Sequence, residues 1–270
     1  MTRRLRKRMP IGTIITKIRA YDDDLPCPVP KEHFPLKITK ISSRSKKTYM
    51  EFENGYGMLI SYGMTASWKV KPPEFVKYKF YVESATAGVS SMKVTRYYWQ
   101  CIRKLHCETV EYMRLKKLHK KLDDLGLDIY YDEPDEKIII ANYPPRGKNV
   151  CAFLLDGTFG GIGNYLKSMI IYRTGISPHR NTKDLSDKEK VAIWNTAKDI
   201  VKEVIGMGGH CVQDFELDDD KKLGEYDTTP YLPKLWKNKN MRTPRDAKGN
   251  KIVREYLGGR VTYWCPELQK

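Results

Sequence analysis

The run Gly160-Gly161-Ile162-Gly163-Asn164 places glycines directly ahead of a helix start. Gly161 and Gly163 let the backbone come close to a phosphate. Asn164 stands where free N–H groups and the helix dipole favour an anion. The same residues also fit a capped helix hairpin in which Asn164 is a plain N-cap. Bulk charge agrees with an anionic partner: 49 Lys and Arg against 33 Asp and Glu give 49 − 33 = +16. Each basic side chain set on a phosphate releases counterions, so the excess favours an anionic polymer, although a basic soluble surface also accounts for it. The cysteines Cys27, Cys101, Cys107, Cys151, Cys211 and Cys265 form no CxxC pair, and none has a histidine at zinc-finger spacing. They read as free thiols of a reducing compartment. His106-Cys107 is a lone adjacent pair, and no metal or cofactor is expected. No apolar run approaches a membrane span, and the basic start MTRRLRKRMP lacks the apolar core of a signal peptide.

The elements that must carry these residues fall into two parts. Residues 13–18, 38–41 and 48–52 read as strands, Asn54-Gly55 as a hairpin turn and 57–62 as the return strand. Residues 77–83, 93–99 and 109–112 add further strands, which suggests an antiparallel sandwich or barrel. Leu115, Leu118, Leu122 and Leu125 mark one face of a helix ending at Gly126. The acidic, aromatic, Pro-bearing stretch 128–148 reads as a linker. Beyond it lie a short apolar helix over 150–156 and a helix over 164–173, the latter stopped by Gly175 and Pro178. Ser186 and Glu189 form a capping box for a helix running to Gly206, 214–227 reads as loop, and 246–250 reads as a turn before a strand over 251–257.

The motifs in order are Leu154-Leu155-Asp156, then Gly161-Ile162-Gly163-Asn164, then Tyr172-Arg173-Thr174-Gly175-Ile176-Ser177-Pro178-His179-Arg180, then Leu185-Ser186. This order resembles the helix–two-turn–helix module of the formamidopyrimidine-DNA glycosylase / endonuclease VIII family. Two further segments follow the family's order. Lys46-Lys47-Thr48-Tyr49 and Ser61–Ser67 resemble its GKxL … GMxG stretch. The resemblance implies that Lys47 contacts phosphate beside the lesion and assists elimination. It implies that Met64 is a wedge filling the void left by an extruded base, with a buried core residue as the alternative for that methionine. Cys101–His106 is a loose match to the loop carrying the other void-fillers, where Arg103 stands for the lost base and Leu105 replaces the usual aromatic. Gly258–Lys270 resembles the family's finger hairpin, with Arg260 as the phosphate-gripping arginine. Only Cys265 remains of the usual four cysteines, as in zincless-finger members. The match is dense over 153–186 and 258–270, moderate over 46–67 and thin over 68–150.

Two departures bear on chemistry. The family attacks C1′ of the damaged nucleoside with the amine of an N-terminal proline, next to a glutamate. Here positions 2 and 3 are Thr2 and Arg3. Thr2-Arg3-Arg4-Leu5 resembles the middle of the family's first helix, so about two turns of helix are expected to be missing ahead of it. The family also has Glu five residues after the helix Asn, where this chain has Met169.

The resemblance implies an α+β chain. Residues 1–127 form an N-terminal antiparallel β-sandwich, 128–148 an interdomain linker, 149–234 a helix–two-turn–helix DNA-binding domain and 235–270 a zincless finger hairpin. It implies a monomeric, intracellular DNA glycosylase/AP lyase of base excision repair. The partner is double-stranded DNA with damaged or abasic nucleotides, lying between the domains, with no membrane involved. Lys47 and Arg260 are its catalytic residues, and Met64, Arg103, Leu105, Gly163 and Asn164 contact DNA beside them. Oxidised pyrimidines are the favoured lesions. A catalytically inactive damaged-DNA-binding protein of the same family is the alternative, and an RNA- or ribosome-associated protein accounts for the charge but not for the motif order.

Overall fold

The computed structural model describes residues 2–21, 26–62, 66–69, 76–85, 92–101, 109–208, 245–246 and 248–270. Met64, Arg103, Leu105, the His106-Cys107 pair and the loop expected over 214–227 lie outside these. The chain divides into two compact units, one reaching to Asp124 and one beginning at Leu125.

The first unit opens with helix α1 (Thr2–Arg8). Strands β1 (Ile14–Ala20), β2 (Leu36–Arg44), β3 (Lys47–Phe52), β4 (Tyr56–Ser61), β5 (Ala66–Lys69), β6 (Val76–Ala85), β7 (Met92–Cys101) and β8 (Thr109–Arg114) follow, then helix α2 (Leu115–Asp123). The strands lie in the order β5-β7-β6-β1-β2-β3-β4-β8. All the pairings are antiparallel. The β1–β2 link is short, Ile14 facing Lys37 and Ile15 facing Leu36. It divides the sheet into two four-stranded halves that share one core. Ile15, Ile18, Phe80 and Val82 come from one half and Ile38, Ile41, Phe52 and Ile60 from the other. Alternation explains the facing: β3 buries Thr48, Met50 and Phe52 and turns Lys47, Tyr49 and Glu51 outward. The expected antiparallel β architecture is therefore present, as one continuous strand order.

The basic start is helical, and its described arginines are clamps on the sheet. Arg6 donates from Nε to the Ile41 carbonyl at 2.7 Å, and Arg8 from Nη1 to the Trp68 carbonyl at 2.9 Å. Leu5 and Met9 are buried beneath them.

The second unit runs β9 (Leu127–Asp128), α3 (Glu136–Ala141), α4 (Val150–Leu155), β10 (Phe159–Gly160), α5 (Asn164–Thr174), α6 (Asp187–Gly206), β11 (Val253–Leu257) and β12 (Arg260–Trp264). The stretch 128–148, expected as a linker, belongs to this unit's body. Leu127 and Asp128 pair in parallel with Phe159 and Gly160, and Ile129, Ile139 and Tyr143 enter the core. Its acidic and Pro-bearing surface hid three apolar side chains that need burial. Tyr143 stacks on Phe153 at 4.4 Å between ring centroids, Phe153 meets Phe159 at 5.1 Å, and Phe159 meets Trp194 at 5.1 Å. Helix α6 starts on the expected capping box: Ser186 Oγ accepts from the Glu189 N–H, and the Glu189 carboxylate accepts from the Ser186 N–H. No described helix is long and apolar enough to cross a membrane.

Candidate nucleic-acid interface

Between α4 and α5 the chain makes two turns. Asp156 Oδ1 accepts from the Thr158 N–H at 2.8 Å to close the first. Gly161, at φ +103°, forms the second. The N-cap of α5 is Gly163, in extended backbone, and no side chain caps the helix. Asn164 is the first helical residue, so the plain N-cap reading of it does not hold. Its side chain turns away from its own helix: Nδ2 donates to the Val261 carbonyl at 3.0 Å, and Oδ1 accepts from Lys167 Nζ at 2.9 Å.

Val261 belongs to the hairpin β11–β12, in which Val253 faces Trp264 and Leu257 faces Arg260. Gly258 and Gly259 close it, at φ +60° and +78°. Two successive left-handed residues are the signature of the two-residue turn whose twist matches paired strands. Arg260 leaves this turn exposed at the hairpin tip.

The hairpin is tied to the helical module at several points. Lys167 Nζ donates to Thr262 Oγ1 at 2.6 Å and to the Val261 carbonyl at 3.4 Å. Tyr172 donates its hydroxyl proton to Asp246 Oδ2 at 2.7 Å, and Asp246 also accepts from the N–H groups of Lys248 and Asn250. His179 lies 3.0 Å from the Glu255 carboxylate, with its ring against Trp264. Gln269, nearly fully buried, accepts from the Cys265 N–H at 2.7 Å and donates to the Ile176 carbonyl at 3.0 Å. Lys270 exchanges backbone hydrogen bonds with Gly175 and Ser177.

The electrostatics of this seat follow from burial. Burial holds Lys167 below the ordinary lysine value; the Arg260 charge pushes the same way and Cys151 opposes it. Burial pushes the Cys151 thiol up, against the opposing influence of Lys167 and Thr262. Met169, where the resemblance implies a glutamate, is fully buried in the apolar core. A thioether there needs no proton partner.

In the first unit, Lys47 is the half-buried first residue of β3, opposite Arg44 on β2 and Ser61 on β4. Its neighbour Thr48 is buried, with Oγ1 at 2.8 Å from Thr2 Oγ1, so the start of α1 is held at the start of this strand. Of the expected site residues, the second unit brings together Gly163, Asn164 and the Arg260 strand, while Lys47 stands in the first unit. Sequence reasoning missed Lys167, Thr262, Tyr172, Asp246 and Gln269. Only Lys167 carried a signal, its spacing of three from Asn164, which puts both on one helix face.

No family model matches the chain. It is similar to the formamidopyrimidine-DNA glycosylase of Prochlorococcus marinus (strain MIT 9312), 32% identical over 57% of this chain and 51% of the relative. The matched region thus spans about half the relative's length. It is also similar to the formamidopyrimidine-DNA glycosylase of Caulobacter vibrioides (strain NA1000 / CB15N), 23% identical over 96% of this chain and 93% of that one. A solved complex of a Lactococcus lactis FPG point mutant with Fapy-dG-containing DNA superposes with a TM-score of 0.78 at 17% identity, covering 100% of this chain and 96% of that chain. MutM (FPG) from Thermus thermophilus gives 0.76 at 18% identity, over 99% and 95% of the two chains. The fold is that of these glycosylases.

Proposed function

We propose that this chain is a member of the formamidopyrimidine-DNA glycosylase / endonuclease VIII family and acts on duplex DNA carrying damaged or abasic nucleotides, as a DNA glycosylase/AP lyase of base excision repair. The observation that carries this reading is the direct seating of the Arg260 hairpin on the head of α5 through Asn164. A helix N-terminus and an exposed guanidinium then form one anion-binding body. In this reading Arg260 grips the phosphate at the lesion, and Gly163 and Asn164 shape the backbone that receives its neighbours. Lys47 holds phosphate from the first unit and assists elimination. Met64, Arg103 and Leu105 fill the void left by the extruded base. Residues 149–234 and 235–270 act as the DNA-binding module and its finger. The finger segment has a single cysteine, Cys265, and belongs to the zincless type, which favours oxidised pyrimidines as substrates. The protein works as a monomer, inside the cell, where the DNA is.

A second reading, a damaged-DNA-binding protein without lyase chemistry, is favoured by one observation. The buried Met169 cannot supply the carboxylate that the family places there. Borohydride trapping on duplex DNA with an abasic site separates the two. Trapping supports the enzyme. Tight binding of the abasic duplex without trapping supports the second reading, and absence of lesion-dependent binding overturns both.

A further inference from the structure

Lys167 sits one turn past Asn164 on α5 and is fully buried. Burying an ammonium is expensive unless each of its protons is met. Here Nζ reaches three oxygens: Thr262 Oγ1 at 2.6 Å, Asn164 Oδ1 at 2.9 Å and the Val261 carbonyl at 3.4 Å. Three acceptors match the three donors of an ammonium. One acceptor belongs to the first residue of the helix, and two belong to consecutive residues of β12. Arg260 is the residue immediately before them.

That arrangement selects a register. Sliding β12 by one residue turns the opposite face of the strand toward the helix and removes the Thr262 hydroxyl from Nζ. An apolar side chain of similar length would hold the strand by burial alone, which is non-directional. We propose that Lys167 is the positioning residue of this site: it sets the register of β12 on α5 and thereby fixes where Arg260 stands. The functional half rests on the reading of Arg260 as a phosphate contact, whereas the register itself can be measured without DNA.

A purely structural lysine and a positioning lysine differ in what Lys167→Met does. Methionine leaves Asn164 Oδ1, the Val261 carbonyl and the Thr262 hydroxyl without this donor but also removes the cost of a buried ammonium, so the two effects offset in part, while uniqueness of seating is lost. The experiment uses the full chain as parent, Lys167→Met, Arg260→Ala and the double variant. It reads melting temperature, amide hydrogen exchange over residues 253–264, and affinity for a duplex holding a tetrahydrofuran abasic analogue. Lys167→Met is expected to melt close to the parent, to exchange faster in the hairpin, and to bind the duplex about tenfold more weakly. In the Arg260→Ala background the same change should alter binding by less than about twofold, because two residues acting through one contact are non-additive. Thr262→Val, which removes the acceptor from the strand side, should reproduce the exchange result should Lys167→Met fail to fold. Unchanged hairpin exchange in the foldable variants overturns the proposal, as does a binding loss of equal size with and without Arg260. Parent-like binding by Arg260→Ala refutes the phosphate role of Arg260, and the exchange data then decide on Lys167 alone.

Discussion

The adjacent glycines of the hairpin turn provide an internal control for the seating of the β11–β12 hairpin. Both are left-handed, at φ +60° for Gly258 and +78° for Gly259. Alanine in that conformation costs roughly 1–2 kcal/mol at either position. Their surroundings differ. A Cβ on Gly259 meets nothing within 4 Å, whereas one on Gly258 stands 2.5 Å from Ala152 N and 2.8 Å from Cys151 C, both backbone atoms of α4. Ordinary contact needs about 3.5 Å, so Gly258→Ala drives the tip back by about 1 Å. The Asn164–Val261 bond, now 3.0 Å, stretches with it beyond bonding range. Losing the buried Lys167–Thr262 bond costs about 1–3 kcal/mol, and losing the part-buried Asn164–Val261 bond about 0.5–1.5 kcal/mol. Gly259→Ala should therefore cost about 1–2 kcal/mol and Gly258→Ala about 2.5–6.5 kcal/mol, up to the free energy at which the hairpin opens locally. Native-state hydrogen exchange over 253–264 reads this directly. Exchange should quicken about tenfold for Gly259→Ala and a hundredfold or more, on that scale, for Gly258→Ala, while the buried amides of α6 stay protected in both. Equal acceleration by the two substitutions would refute the reasoning, since it would mean that the tip does not rest on α4.

Three further outcomes follow from the same contacts. Ser186→Ala removes the hydroxyl half of the α6 capping box and should destabilise the second unit by about 1 kcal/mol in urea unfolding. The Glu189 carboxyl is held below its usual range chiefly by its hydrogen bond to Arg180, with Ser186 adding to it. A depressed carboxylate contributes stability above its unfolded value that is lost as pH falls through the folded one. The parent should therefore weaken from about pH 5 downward, and Glu189→Gln should flatten that acid limb in thermal melts at stepped pH. Arg260→Ala should weaken binding to abasic duplex and reduce the slope of log affinity against log salt by about one, read by fluorescence anisotropy.

Local signals made much of this fold legible. The alternation in β3, the Asn54-Gly55 turn, the leucine spacing of α2, the left-handed Gly175 closing α5 and the Ser186–Glu189 cap are each written within a few residues of where they act. The motif order from Leu154 to Ser186 likewise points to the fold, because the module is contiguous in the chain. The stretch 128–148 reads as a linker in the sequence, yet it enters the second unit's core. Its polar residues are what the surface shows, and nothing local announces that Ile129, Ile139 and Tyr143 have a core to enter.

What the sequence determined by itself, then, is the set of local conformations: the helix head at Asn164, the glycine turn before Arg260 and the strand that begins at Lys47. What only the tertiary structure decided is who partners whom. The Asn164 side chain finds a carbonyl 97 positions away, Lys167 finds a hydroxyl 95 positions away, and Tyr172 finds Asp246 across 74. Periodicity states which face of a helix must be covered and leaves open what covers it. The partner is chosen by packing of the whole unit, where a buried polar group is stable only against the one group that satisfies it.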